Sequence, residues 1–306
     1  MSSSKRARAI LRAAWQTLRR NPRLLWFAVL LGIASLVVTT IGAVLGWLGL
    51  NAVPLVVSSG FDAPPDASTY GRAAIGFGLL VWFGTHVIAP FFGVALASAT
   101  LEALASRPWS VRTALGDARR RGASIATYAV LDASVGAILA RFGGDRDADK
   151  HRRRRGHPLA AKLLGAAWWA ATYLVVPVLA RERAGGLGAV SRSTTLMRET
   201  WKEAFVGRLV LGWLLWPAAL LGLGVLTLFV AVGLGPLTHP ALFGVAAGIA
   251  VLGYIAIAAV AYTLDTVYRC ALYVFATEGV VPEPFDDPDL HEIWTVRGGH
   301  TSSAED

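Results

Sequence analysis

The chain has 306 residues, of which 55% are hydrophobic and only 16% charged, and its mean hydropathy is +0.52. A soluble fold of this size carries about a quarter charged residues, so the composition excludes a water-covered globule and points to an integral membrane protein. A net charge of +9 and a pI near 10.2 would suit a nucleic-acid binder. The basic residues instead fall between long apolar runs, a membrane-topology pattern that argues against nucleic acid.

In chain order, residues 1–22 carry Ile10, Leu11, Ala14, Trp15 and Leu18 at three- and four-residue spacing, with Arg6, Arg8, Arg12, Arg19 and Arg20 mostly on other faces. This predicts a basic amphipathic helix at the headgroup boundary of an anionic leaflet. Arg6, Arg8, Arg12, Trp15 and Arg19 are its candidate headgroup contacts. Asn21-Pro22 ends it, because a residue before proline avoids the helical region.

A transmembrane bundle is expected over 23–279. The first span, 24–50, has a basic leader like a secretory signal but is too long and lacks a small-residue cleavage site, so it is read as retained. The following loop holds Pro54, Asp62, Pro64, Pro65 and Asp66 and only one late arginine, Arg72, which reads as non-cytoplasmic. The second span, 75–101, contains Pro90, a predicted kink. The loop after it, with Arg107, Arg112, Arg119, Arg120 and Arg121, is cytoplasmic by the positive-inside rule.

A weaker third segment, 123–142, has Asp132 at its centre, and the fourth, 163–180, has Pro177 near its end. A second interfacial helix is expected over 184–205. Its apolar stripe is Leu187, Val190, Thr194, Met197, Trp201 and Phe205, and Arg192, Arg198, Trp201 and Lys202 are candidate headgroup contacts. Spans five and six follow at 209–235, with Pro217, and 241–277. The polar, acidic, proline-rich tail 280–306 is expected to be unstructured.

Six spans place both termini in the cytoplasm and leave Arg152 to Arg155 outside, against the charge rule. The alternative is a third–fourth segment hairpin that dips in from the cytoplasm and does not cross. Asp132 favours the hairpin, since a centred aspartate costs about 2.5–3.5 kcal/mol on insertion. Strong cytoplasmic loops on both sides favour six spans, the reading adopted.

Catalytic signatures are absent: there is no P-loop, HExxH, CxxC or GxSxG, and the glycine pairs lack a strand–turn–helix context. The single cysteine, Cys270, excludes a disulfide framework and a thiolate metal site. His86, His151, His157, His239, His291 and His300 are dispersed, so neither a metal nor another cofactor is expected. Four ionisable groups fall inside apolar segments: His86, Asp132, Asp265 and Arg269. Such groups are functional candidates by default. Asp265 and Arg269 stand one helical turn apart and can compensate each other, whereas Asp132 has no local partner and must face water or find a donor such as Arg269, His86 or a tyrosine across the bundle. The tryptophans, Trp15, Trp26, Trp47, Trp109, Trp168 and Trp169 among them, gather near segment ends, as in an interface belt.

The stretches "AAWQTLRRNPRLLWF", "FFGVALASATLEAL", "LLGAAWWAATYLVVPVLARE", "AVSRSTTLMRETWKEAF" and "TVYRCALYVFATEGVVPEPFD" appear in this order. Together, over about residues 13–285, they resemble an uncharacterised family of bacterial and archaeal integral membrane proteins, a domain of unknown function. More distantly, the layout is similar to the membrane domain of glycerophosphodiester phosphodiesterases, which pairs a Trp-bearing leading helix with six spans. That resemblance implies a membrane fold but no activity, since no phosphodiesterase catalytic domain is present. The family brings no catalytic residues, and the arginine run departs from its pattern.

The reading is an all-α polytopic bundle of six spans with two interfacial amphipathic helices, in the cell membrane of a prokaryote; arginine over lysine, with abundant Ala and Gly, fits a high-GC genome. Its expected role is non-enzymatic: it organises membrane lipids with anionic headgroups, or protein partners that include further copies of itself. The alternative is a small-solute or lipid transporter, or a channel-like protein, working through Asp132 and the Asp265–Arg269 pair. A lipid-modifying enzyme ranks last.

Overall fold

The computed structural model describes residues 3–58, 67–143, 158–198 and 240–286. Among the described residues the protein is entirely helical, without strands. Its helices are α1 (Ser3–Arg20), α2 (Leu25–Ser58), α3 (Ala67–Leu104), α4 (Val111–Arg120), α5 (Gly122–Gly143), α6 (Pro158–Thr172), α7 (Val175–Arg181), α8 (residues 186–198) and α9 (Pro240–Glu278). Among the described residues, five segments are long and apolar enough to cross a membrane: Pro22–Gly42, His86–Leu104, Gly122–Leu139, Lys162–Arg181 and Ala241–Glu278. The expected fifth span at 209–235, the arginine run Arg152 to Arg155, and Trp201, Lys202 and Phe205 lie outside the described residues.

Helix α1 ends where expected. Asn21 leaves the helical region at φ −130°, ψ 64°, while its N–H still reaches the carbonyls of Thr17 and Leu18 at 3.0 and 3.1 Å. Pro22 then opens a 3-10 turn, Pro22–Leu24, at the one position where its missing donor costs nothing. Ala9, Ile10, Ala13, Ala14, Thr17 and Leu18 are buried. The apolar face of α1 therefore packs on protein, chiefly α9 and the C-terminal turn, and not on lipid. The arginines and Trp15 are what remain for the surroundings.

Helices α2 and α3 form an antiparallel hairpin, the most extensive pairing in the fold. Pro90 sits inside α3 without ending it. The Tyr262 hydroxyl of α9 donates to the Ala89 carbonyl at 3.4 Å beside the proline. Gly93 makes room for it, since a Cβ there would stand 2.8 Å from the Tyr262 oxygen.

Three local features depart from the sequence expectation. The arginine-rich loop after α3 contains a helix, α4, started by a capping box: Ser110 Oγ accepts from the Thr113 N–H at 3.1 Å and Thr113 Oγ1 from the Ser110 N–H at 3.2 Å. The fourth span is broken into α6 and α7, because Pro177 lacks an N–H and its ring crowds the carbonyl of Tyr173 four residues back. The freed Leu174 N–H donates to Ser193 Oγ of α8 at 3.0 Å. The buried face of α8 is Ala189, Ser193, Leu196 and Met197, while Leu187 of the expected stripe is 67% exposed. Gly186 sets this rotation: a Cβ there would lie 2.6 Å from the Tyr128 nitrogen and 2.9 Å from the Ser124 oxygen, so the backbones of α8 and α5 touch directly.

Helix α9 stops at Gly279, whose φ of +68° is a left-handed cap, its N–H bonded to the Phe275 carbonyl at 2.9 Å. The chain stays packed beyond residue 280, where a loose tail was expected to begin. A 3-10 turn, Glu283–Phe285, drives the Phe285 ring into full burial against Tyr268, with ring centroids 6.4 Å apart. Pro282 is buried beside it, Val281 packs on the core, and Glu283 pairs with Arg20 of α1 at 3.6 Å.

The core lies at one end of the bundle, where α1, the start of α2, the second half of α3, α4, α7 and the second half of α9 converge. Leu24, Phe27, Leu96, Leu174, Leu179, Leu264 and Tyr268 are essentially inaccessible there. Helix α9 links this end to the other. At 1.5 Å per residue it is about 58 Å long, roughly twice the hydrocarbon thickness. Its first half exposes Leu242, Val245, Ile249, Leu252 and Ile255, and its second half buries Leu264, Val267, Ala271, Leu272 and Phe275.

Candidate functional site

Three of the four intramembrane ionisable groups meet aromatic or charged partners around the junction of α6 and α7, Asp132 from α5 and the other two from α9. Asp265 and Arg269 face each other one turn apart on α9 and form an ion pair whose side chains are 20% and 24% exposed. The Arg269 guanidinium lies over the Tyr173 ring, 4.5 Å from its centroid. Tyr173 in turn stacks obliquely on Trp169, with centroids 5.0 Å apart. Cation–π contact and a facing carboxylate are what a guanidinium withdrawn from water requires. Its Nε has no acceptor among the described residues.

Asp132 on α5 has found a donor. Trp168 Nε1 of α6 donates to its Oδ1 at 2.9 Å. A charge-assisted bond of this kind contributes about 1.5–3 kcal/mol and offsets much of the cost of placing a carboxylate mid-helix. Tyr128, one turn before Asp132 on α5, lies within electrostatic reach of both Asp132 and Arg269, with Thr172 beside its hydroxyl. The two charged sites thus belong to one neighbourhood. The bend between α6 and α7 builds it, because Trp168 and Trp169 precede the break and Tyr173 stands at it. His86 is half-buried on α3, one turn ahead of Pro90.

A second polar layer closes the packed end. Arg121, between α4 and α5, donates from Nη1 to the carbonyls of Leu179 and Glu182 at 2.6 and 2.5 Å, capping α7. Glu182 accepts from Arg192 at 3.1 Å and from the Tyr273 hydroxyl at 3.1 Å. Arg192, expected at lipid headgroups, is thereby committed to a carboxylate of its own chain. Glu102 similarly pairs with Arg181 at 3.0 Å and Arg107 at 3.7 Å. Such half-exposed pairs set geometry more than stability.

The remaining headgroup candidates divide. Arg8, Arg12 and Arg19 are exposed along α1, with Trp15 47% exposed between them, and Arg198 is exposed on α8. Arg6 lies on α1, and Trp201 and Lys202 fall outside the described residues. The tryptophans also divide. Trp15 and Trp26 point outward, whereas Trp109 donates to Asn21 Oδ1 at 3.2 Å and Trp168 and Trp169 serve the polar cluster. Sequence reasoning therefore missed Trp168, Tyr173 and Tyr128 as partners of the buried charges. The one available signal was the run Trp168, Trp169, Thr172, Tyr173 at helical spacing, which places polar tips on a face that an ordinary span would make aliphatic. Among the described residues, no group of three or more His, Cys, Asp or Glu side chains is arranged to hold a metal ion.

Described residues that are helical throughout their regular structure, with five segments able to cross a bilayer by length and composition, define a helical protein of membrane-spanning capacity. The family follows from the sequence. Residues 71–282 match the model of a family of unknown function (DUF6159), and the chain belongs to it. The match covers α3 through α9 and leaves α1 and α2 outside. No curated protein and no solved structure matches, and nothing links the chain to the glycerophosphodiester phosphodiesterases.

Proposed function

We propose that this is a non-enzymatic, multi-pass protein of the cell membrane, with six spans and both termini cytoplasmic, which organises lipids or partner proteins at its cytoplasmic face. One observation carries this reading above the transport alternative: the charged groups Asp132, Asp265 and Arg269 are engaged with partners of the same chain. A transporter needs such groups to change partners, whereas a structural bundle needs them compensated and fixed. The packed end, with Arg8, Arg12 and Arg19 turned outward, is the cytoplasmic end in this reading, as the positive-inside rule requires.

The test is reconstitution of the full chain into vesicles carrying an internal pH dye. Under an imposed proton gradient, wild type and Asp132→Asn are expected to leak no faster than empty vesicles. A proton flux that disappears in Asp132→Asn would replace the organising role with a transport one. Impermeant labelling of a cysteine placed at Arg153 in intact cells is expected to succeed, since six spans put that loop outside. Protection of that cysteine would mean the hairpin topology.

A further inference from the structure

Helix α1 does more than lie beside the bundle. Arg8, Leu11, Arg12 and Trp15 recur at i, i+3, i+4 and i+7, and so form one strip along the helix. That strip faces Ala256, Ile257, Val260 and Leu264 of α9 across an open cavity of about 610 Å³. The volume falls in the range of small-molecule sites. The lining is almost wholly aliphatic and aromatic, and the two charged side chains in it are both arginines. Arg12 forms no ion pair with any described residue.

The position of the groove is as informative as its lining. It opens where α9 changes character. The exposed Ala256 continues the bare row Val245, Ile249 and Leu252 at three- and four-residue spacing, while Leu264 at the floor is 1% exposed. An apolar chain lying in the groove would run along the exposed face of α9, and its polar head would meet two guanidinium groups on α1. Trp15, with an apolar body and a polar N–H, lines the same groove and is 47% exposed, a side chain suited to the membrane boundary.

We infer that the α1–α9 groove is a binding site for one anionic phospholipid, its phosphate held by Arg8 and Arg12 and one acyl chain packed on Leu11, Trp15, Ile257 and Val260. This rests on the membrane reading above and goes beyond it by naming a single site and its occupant. Charge complementarity selects the occupant. A guanidinium fork suits a phosphate bidentately, and the aliphatic wall excludes a ligand that is only an anion.

The experiment uses the full chain, purified in a neutral detergent and stripped of lipid, with dioleoyl phosphatidylglycerol as the probe. Native mass spectrometry and thermal melting read binding, since a ligand that binds only the folded state raises the melting temperature. Phosphatidylglycerol is expected to bind one per chain and at least tenfold tighter than phosphatidylcholine with the same acyl chains. The double variant Arg8→Gln/Arg12→Gln is expected to erase that preference. Ala256→Trp, which fills the groove and leaves both arginines in place, is expected to lose binding altogether, and circular dichroism checks that both variants keep wild-type helicity. Inorganic phosphate alone is expected to give no shift. Equal affinity for the two lipids, unchanged phosphatidylglycerol binding in Ala256→Trp, or a full shift with free phosphate would each overturn the site. The two readings fail separately. Proton flux alongside intact lipid binding removes only the organising role, and absent lipid binding in a flux-silent protein removes only the groove.

Discussion

The two halves of α9 share their large aliphatic residues but have opposite surroundings. In the first half Leu242, Val245, Ile249, Leu252 and Ile255 stand bare, Ile249 and Leu252 each at 68% exposure, while from Leu264 to Phe275 almost every large side chain is covered by the packed core. Apolar composition alone does not say whether a side chain packs on protein or on lipid. The difference lies in what accompanies it. The covered half carries Thr263, Asp265, Thr266, Tyr268, Arg269 and Tyr273, polar groups that need neighbours, and the bare half is almost purely aliphatic.

That contrast can be broken most forcefully at the ion pair. Asp265→Asn is expected to destabilise the detergent-solubilised protein by about 3–5 kcal/mol, because it strands Arg269 without its counter-charge. The double variant Asp265→Leu/Arg269→Leu should recover much of that loss; a double variant melting below both singles would mean the pair is more than a compensated charge. Next in size, Leu264→Ala in the covered half should cost about 2–5 kcal/mol by opening a cavity. Gly186→Ala should follow at about 1–3 kcal/mol, since its methyl meets rigid backbone of α5 and not a movable side chain. The smallest effect sharpens the comparison. Leu252→Ala, the same chemical change as Leu264→Ala but on the bare half, should shift stability by no more than about 0.5 kcal/mol in detergent. Equal losses at 252 and 264 would mean that residues outside those described cover the bare half.

Much of the fold was legible because hydrophobic runs, prolines and cap residues act locally. The end of α1 at Asn21-Pro22, the helical apolar segments and the Asp265–Arg269 pair follow from residues within a turn or two of one another. Helix α4 was missed because it is short and charge-rich, and its start depends on a Ser110–Thr113 capping box that lacks the usual acidic third residue. The rotation of α8 was misjudged because large residues such as Leu187 weigh more in a periodic pattern than the small Ala189 and Ser193, which are what a close helix contact buries. The partners of Asp132 and Arg269 were illegible for a different reason. Trp168 and Tyr173 reach them only once the chain breaks between α6 and α7, with α6 packed on α5 and α7 on α9, and pairings between distant segments have no periodicity to read.

The hydroxyl of Ser193 has a consequence for biosynthesis. A backbone donor left open in lipid costs several kcal/mol, and the acceptor for the Leu174 N–H resides nineteen positions downstream. Until α8 is made, the bend between α6 and α7 lacks that acceptor, although both carbonyls held by Arg121, those of Leu179 and Glu182, are already present. A chain truncated before residue 193 is therefore expected to be degraded faster than the full chain in a pulse-chase measurement.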